Sequence, residues 1–283
     1  MTGIARFAMQ GPRQAILLAV LFAAIPLLYW VSAAVVSLVI LRQGLDKGIH
    51  VLLPALLPGI AWYAAQQEFT VCLVILGSAM MAAILRASVS LSHAITASIV
   101  VGVLTVILLP VLSPVWIEVL QQGASDYANK LQETVPQAAT TLGPWIYPML
   151  LGGIAAMLQT FAIGALLLAR NWQSKLFNPG EFSKEFQALR LPIWYALVAG
   201  IALFVGSSDP ESVSWLSVVL VPLFFMGVSV VHAVVAIKQL SSQWLMAFYI
   251  SLLFFLPYMY ALLILIALID MLLNIRKWLK DTA

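Results

Sequence analysis

The sequence predicts an all-α fold, a polytopic bundle of transmembrane helices, and both its composition and its long uncharged runs support this prediction. Hydrophobic residues make up 63% of the 283 residues and charged residues only 9%, whereas a soluble domain carries roughly 25% charged residues. Many of the uncharged runs are close to the ~20 residues that a helix needs to cross a bilayer core of about 30 Å. Because backbone amides cannot stay unpaired in lipid, such runs are expected to be helical.

About eight apolar segments follow one another in what the sequence predicts to be a single integral membrane domain, 1–283. Charged residues and turn residues mark their boundaries. In chain order the segments are 14–41, 49–65, 69–85, 91–117, 145–169, 193–207, 213–237 and 244–273. The two longest links between them are 118–144 and 170–192.

The basic residues predict the orientation of the chain, because Lys and Arg are enriched in the cytoplasmic links of membrane proteins. If 170–192 is a cytoplasmic interfacial link and both end segments return to the cytoplasmic side, 13 of the 14 Lys and Arg residues fall on that side, and Lys130 is the exception. Link 118–144 then lies outside, and both termini lie in the cytoplasm. Since the basic residues sit in short connections at the bilayer surface, they give no indication of nucleic-acid binding.

The first and last apolar segments are predicted to be broken in the middle. The runs 14–41 and 244–273 are longer than one crossing requires, since even 28 helical residues extend ~42 Å. Pro26 and Pro257 lie near their middles, and proline removes a backbone donor and clashes with the preceding turn. Two interpretations stay open for each run: a hairpin that returns to the cytoplasmic side, which is favoured, and a single kinked helix.

Link 118–144 is predicted to be an external amphipathic link. Leu120, Tyr127 and Leu131 recur at helical spacing, so a short amphipathic helix is expected over 118–134. It lies either across the outer mouth of the bundle as a lid or on the surface, where it closes the bundle. The second interpretation is favoured.

Link 170–192 is predicted to hold a turn followed by a helix in the membrane interface. Proline presets its own φ and glycine accepts positive φ, and aromatic residues then recur at helical spacing opposite charged ones. The helix is either an anchor to lipid headgroups or a docking site for a membrane or cytoplasmic protein partner. The predicted docking residues are Asn178, Pro179, Gly180, Phe182, Glu185, Phe186 and Arg190.

Few polar groups interrupt the apolar segments, and each is a candidate ligand contact, because an ionisable group costs ~2.5–3.5 kcal/mol at the centre of a membrane helix. His232 and Gln159 lie inside segments, and Trp62 lies near the end of one. We predict that these three bind a small apolar or aromatic ligand. The alternative for His232 and Gln159 is a hydrogen bond to a neighbouring helix, and the alternative for Trp62 is a place in the aromatic belt at the membrane interface. Asp270 is expected to pair with one of the residues just after it, Asn274, Arg276 or Lys277.

Link 170–192 contains several short motifs. Two further motifs lie at the ends of the first and last apolar segments. They are Asn171-Trp172-Gln173, Leu176-Phe177-Asn178-Pro179-Gly180, Glu181-Phe182, Glu185-Phe186 and Leu189-Arg190-Leu191, with Leu41-Arg42-Gln43-Gly44 and Ile269-Asp270. Together they resemble the YybS-like family, which implies a multi-pass protein of the bacterial inner membrane. That family is distantly similar to the substrate-binding subunits of energy-coupling-factor vitamin transporters.

Those transporter subunits present small residues, four apart on their first helix, to a coupling partner. Ala15, Ala19 and Ala23 have this spacing here, and small residues let helix backbones approach closely. The resemblance therefore implies a partner-docking stripe. Close contacts inside the bundle are the favoured alternative.

Enzyme motifs are missing from the sequence. It has no His-Glu-x-x-His, no Gly-x-Ser-x-Gly and no phosphate-binding loop, and its one cysteine, Cys72, excludes a thiolate cluster. We therefore predict no enzymatic activity, no metal and no cofactor. Two functions stay open: a small-molecule binding or transport subunit, which is favoured, and a non-transporting envelope scaffold that recruits partners through 170–192.

Overall fold

The chain folds into a bundle of helices that are joined by short turns. A computed structural model describes residues 2–281, with side chains through residue 279, and every regular element in this range is helical. The helices are α1 (Thr2–Ala8), α2 (Pro12–Ala24), α3 (Tyr29–Gln43), α4 (Leu45–Gln66), α5 (Thr70–Ser88), α6 (Leu91–Leu112), α7 (Pro114–Thr134), α8 (Pro136–Phe177), α9 (Glu181–Gln187), α10 (Trp194–Ser208), α11 (Val213–Ile237), α12 (Ser242–Phe254), α13 (Leu256–Leu273) and α14 (Ile275–Asp281). A 3₁₀ turn, Pro210–Ser212, precedes α11.

Within the described residues, six helices are long and apolar enough to cross a membrane, which corrects the prediction of about eight spans. They are α4, α5, α6, α8, α11 with its preceding 3₁₀ turn, and α13. The count is lower because the break in the first run leaves two short helices, α2 and α3, and because α10 has only 15 residues. The helices α2, α3, α10 and α12 are apolar but extend only about 20 Å at 1.5 Å per residue. The architecture is that of a multi-spanning membrane protein.

The first apolar run forms a helical hairpin. The break between α2 and α3 falls at Pro26, as predicted, and the next residue, Leu27, has a left-handed φ of 65°. Ser32 Oγ donates a hydrogen bond to the carbonyl oxygen of Ala19 at 2.7 Å, so the two arms lie side by side. The small-residue stripe is buried between helices rather than displayed, at Ala15, Ala19 and Ala23.

The helix α3 lies at the centre of the bundle. Every residue from Val31 to Leu41 is buried, which is typical of a helix that is apolar on all sides. Its neighbours are α2, α4, α5 and α8. Ser37 of α3 and Ser78 of α5 share a hydrogen bond of 2.6 Å, so two hydroxyl groups in the core satisfy each other.

The last apolar run is also divided as predicted. The break falls at Phe255, and Pro257 occupies the first turn of α13, where a missing N–H removes no helical hydrogen bond. The helix α13 packs tightly on α11: a Cβ added at Gly227 would come within 2.2 Å of the Leu263 carbonyl oxygen. By contrast, α12 buries none of its residues.

The region predicted as link 118–144 holds two helices. The amphipathic helix expected over 118–134 is present as α7, but α8 begins directly after it at Pro136 and continues to Phe177. With 42 residues, α8 is ~63 Å long, about twice the thickness of a bilayer core. Because α7 packs against α8, the pair extends beyond the membrane-spanning part of the bundle.

Arginine side chains gather at one end of the bundle, which we call the basic end. Arg86 Nη1 and Gln173 Nε2 both donate to the Leu41 carbonyl oxygen, at 2.6 and 3.2 Å, so α3, α5 and α8 end together. Arg276 of α14 reaches the same region by donating to the Gln187 carbonyl oxygen at 2.8 Å.

Both described ends of the chain lie at the basic end. The hairpin returns α2 to it, and α14 lies within it, as the hairpin interpretation requires. Met1 and residues 282–283, on which the prediction for the termini themselves falls, lie outside the described residues. The side of the membrane that this end faces stays a prediction.

Candidate functional site

A cleft of about 380 Å³ opens near the basic end, between α8, α9, α11 and α12. His232 lines it together with Phe182 and Phe186. The structure therefore brings one residue of the predicted ligand-binding set next to two of the predicted docking residues. Asn171 and Tyr249 add polar groups to walls that are otherwise largely apolar.

The rings in this cleft have a defined arrangement. His232 Nε2 and Tyr249 Oη lie 2.8 Å apart, a hydrogen bond that joins α11 to α12. The imidazole meets the Phe186 ring edge to face at 5.3 Å between centroids, and Phe186 stacks on Phe182 at 5.8 Å. Aromatic walls with one imidazole suit a flat apolar ring that carries a single polar group.

The other two predicted ligand-binding residues lie elsewhere. Gln159 is fully buried where α6, α8 and α11 meet; its Nε2 donates to Ser98 Oγ at 3.0 Å, and its Oε1 has no partner among the described residues. A Cβ added at Gly102 would lie 2.4 Å from Oε1, so the Gln159 amide fills the space beside Gly102. Trp62 lies half-buried on α4 against the apolar core. The three predicted ligand-binding residues therefore lie in three separate parts of the protein.

The start of link 170–192 is ordered by contacts between α8 and α9. Arg170 forms a bidentate ion pair with Glu185, in which Nε and Oε2 are 2.9 Å apart. Ser174 Oγ accepts the Phe182 N–H at 3.1 Å and donates to the Asn178 carbonyl oxygen at 2.8 Å. These contacts fold α9 back onto the end of α8.

The segment 188–193, which follows α9, is not helical, but its two leucines are buried. Leu189 is 1% exposed and Leu191 is 3% exposed. Buried backbone carbonyls need hydrogen-bond donors, and three helices supply them. Ser229 donates to the carbonyl oxygen of Leu189, and Ser92 donates to that of Arg190. Arg276 donates to the carbonyl oxygen of Gln187, the last residue of α9.

The predicted docking residues thus divide into two groups. The turn at Asn178, Pro179 and Gly180 is exposed, and Gly180 has the positive φ, 92°, that the turn prediction expects. Phe182, Glu185, Phe186 and Arg190 instead make contacts within the protein.

A cavity of about 370 Å³ at the opposite end of the bundle was not predicted from the sequence. We call it the Glu68 pocket. Its polar side chains are Glu68, Thr70 and Ser113, and its apolar walls include Tyr29, Leu109, Trp116, Leu120, Ile154 and Met157. In the sequence, the apolar residues of this pocket look the same as residues that face lipid. The one indication of a pocket was Glu68, a carboxylate beside the end of an apolar segment.

Hydrogen bonds hold the polar side chains of this pocket together. Thr70 Oγ1 donates to Glu68 Oε1 at 2.7 Å, and the Phe69 N–H donates to Ser113 Oγ at 3.2 Å. Ser113 is the single residue between α6 and α7, and the first turns of α7 supply Trp116 to the wall. The amphipathic helix therefore covers part of a cavity, which is the position that the lid interpretation describes.

No protein-family model, curated protein or solved structure matches the chain. The resemblance to the YybS-like family stays a prediction.

Proposed function

We propose that the protein is a membrane-embedded binding subunit for a small, largely apolar or aromatic molecule, and that the Glu68 pocket holds this molecule. One observation carries the proposal: apolar side chains from four helices, α3, α6, α7 and α8, converge with three polar side chains around a cavity of about 370 Å³. Ligand sites of ~300–1,000 Å³ share this combination, in which apolar contact gives affinity and a few polar groups fix orientation.

The side chains in the pocket restrict the chemistry of the ligand. Glu68 Oε1 accepts from Thr70, whereas Oε2 accepts no hydrogen bond from the described residues. A ligand with an ammonium, amide or hydroxyl donor would therefore bind with that group at Glu68. Tyr29 and Trp116 offer aromatic surfaces for the rest of the molecule, and such surfaces favour planar rings.

Helix α7 would control access to this pocket. It is amphipathic, it packs against α8 along its length, and a single non-helical residue, Ser113, connects it to α6. A change of backbone angles at Ser113 would move Trp116 away from the pocket without breaking a helix. Lids that close over ligands turn on short connections of this kind.

Purified full-length protein in a mild detergent tests the proposal. Native mass spectrometry would identify a co-purifying small molecule, and a rise in melting temperature would report binding of tryptamine, an aromatic amine, as a probe. We expect Glu68→Gln to lower both the retention of the co-purifying molecule and the affinity for tryptamine, because an amide lacks the charge that attracts an ammonium group. Leu120→Trp should block the pocket by filling it.

Glu118→Gln is the matched control, because Glu118 is an exposed carboxylate on α7 that does not line the pocket. It should leave retention and tryptamine binding unchanged. Equal retention of the molecule and equal probe binding in the Glu68, Leu120 and Glu118 variants would contradict the proposal. So would failure of the unmodified protein to retain or bind any molecule.

The alternative is a non-transporting scaffold that recruits a protein partner through link 170–192. The exposed turn at Asn178, Pro179 and Gly180 supports it. Affinity purification with Asn178→Ala and Pro179→Ala tests it, because these changes leave the Arg170–Glu185 pair intact. The alternative predicts that a partner captured by the unmodified protein is lost from this variant.

A further inference from the structure

A third cavity, of about 500 Å³, lies at the basic end, and four cationic side chains line it. Lys184 comes from α9, Arg190 from the non-helical segment 188–193, and Arg276 and Lys277 from α14. Parts of the chain that are about 90 residues apart in sequence thus bring their positive charges to one cavity. We call it the basic cavity.

Two of these four cationic side chains have a carboxylate partner, so half of the positive charge is uncompensated. Asp270 is fully buried and forms its ion pair with Arg276, at 2.7 Å between Nη2 and Oδ2. Glu181 pairs with Lys184 at 3.0 Å, but both side chains are largely in solvent, where such pairs are weak. No acidic side chain lines the cavity, and Arg190 and Lys277 form no ion pair with the described residues.

The arginines are held in place by backbone contacts. Arg190 Nη2 donates to the carbonyl oxygens of Asp270 and Met271, each at 3.0 Å. Arg276 Nη1 donates to the Gln187 carbonyl oxygen at 2.8 Å. A cationic site whose side chains are already ordered binds an anion without the entropy cost of fixing them.

The surroundings of the cavity point to the level of the lipid headgroups. Leu272 and Leu273 are 71% and 73% exposed, and the next residue, Asn274, lines the cavity. Apolar side chains this exposed at the end of a membrane helix are expected to contact acyl chains. Basic pockets between membrane helices are a recognised arrangement for anionic headgroups.

We propose that the basic cavity binds a phosphate group, carried either by an anionic phospholipid headgroup or by a free phosphorylated small molecule. Arginine and lysine are the usual partners of phosphate. Arg276 already donates to Asp270, so the direct contacts would come from Lys184, Lys277 and the N–H groups of Arg190 that no described residue accepts. This site is separate from the Glu68 pocket, and the inference does not depend on the proposed function.

Two measurements on the full-length protein test this site. In nanodiscs of phosphatidylcholine with a fraction of phosphatidylglycerol, native mass spectrometry counts the anionic lipids that stay bound. In detergent, titration with inorganic pyrophosphate measures binding of a free phosphate compound. Each basic residue beside an anionic surface contributes roughly a fivefold factor in affinity, so Lys184→Gln with Lys277→Gln should lower affinity about 25-fold.

Lys47→Gln with Lys175→Gln is the control, since both lysines are exposed at the same end and neither lines the cavity. If Lys184→Gln with Lys277→Gln loses bound phosphatidylglycerol, the control does not, and pyrophosphate binding is unchanged, the cavity is a lipid headgroup site. Selective loss of pyrophosphate binding identifies a site for a soluble phosphate compound, and either result supports the inference. Equal losses in the two double variants, or binding of neither probe by the unmodified protein, would overturn it.

Discussion

The carboxylate of Asp270 and the guanidinium of Arg276 form an ion pair inside the protein, at the junction of α13 and α14. Asp270 is fully buried and the Arg276 side chain is 9% exposed. Asn274 makes the turn between them with a left-handed φ of 51°, a conformation that Asn accepts readily. The pair fixes α14 against the bundle and orients one wall of the basic cavity.

Removing one partner of this pair should be strongly destabilising. Asp270→Asn keeps the shape of the side chain but leaves the Arg276 cation buried without a counter-charge, which costs ~3–5 kcal/mol in comparable cases. A large decrease in the melting temperature of the detergent-purified protein is the expected result. Asp126→Asn, on the exposed face of α7, should leave that temperature nearly unchanged, and an equal decrease in both variants would contradict the assignment.

The hydrogen bond between His232 and Tyr249 should hold α12 against the bundle, because α12 buries no residue of its own. Tyr249→Phe removes the hydroxyl and keeps the ring. A net hydrogen bond is worth ~1 kcal/mol, so amide hydrogen exchange in α12 should become about fivefold faster. Tyr258→Phe, at a tyrosine that is 79% exposed, is the control. Identical exchange in the two variants would show that the hydrogen bond does not restrain α12.

Helix packing at Gly227 should not tolerate a methyl group. The nearest atom is the Leu263 carbonyl oxygen, at 2.2 Å from an added Cβ, and a backbone atom cannot move aside as a side chain can. Gly227→Ala should therefore lower the free energy of unfolding by about 1–3 kcal/mol. Gly200→Ala is matched to it, since an added Cβ there meets nothing within 4 Å. Comparison of the two melting temperatures tests this, and equal values would be unexpected.

The predicted orientation can be tested by cysteine labelling in intact bacterial cells. Cys72 is the one native cysteine and is 2% exposed, so it can stay in place. An impermeant maleimide should label Ser125→Cys on α7 in intact cells. It should label Asn178→Cys only after permeabilisation, because the basic end is predicted to face the cytoplasm. The reverse pattern would invert the topology.

Much of the bundle could be predicted because lipid imposes a simple rule on composition. Both proline breaks were predicted correctly, since a proline within a run that is too long for one crossing has a direct geometric effect. The boundaries of α8 were not. Hydropathy marks where lipid contact ends, and polar residues on both sides of 145–169 continue the same helix from Pro136 to Phe177.

The sites were harder to predict because they depend on distances between helices. The pairing of Asp270 with Arg276 was within reach, since the two residues are close in sequence. The contact between Phe186 and His232 joins residues on different helices, and the Glu68 pocket is lined mainly by apolar side chains that carry no distinguishing mark. Only the three-dimensional arrangement separates such residues from those that face lipid.

The burial of α3 from Val31 to Leu41 has a consequence for biogenesis. Its last residue, Gln43, leaves the ribosome long before α8, one of the helices that enclose it, has been made. At ~5–20 residues per second, the delay is on the order of ten seconds. During that interval one face of a short, largely apolar helix must be sheltered by the insertion machinery, by lipid or by a chaperone. Truncation of the chain before α8 should therefore yield a nascent product that is prone to degradation.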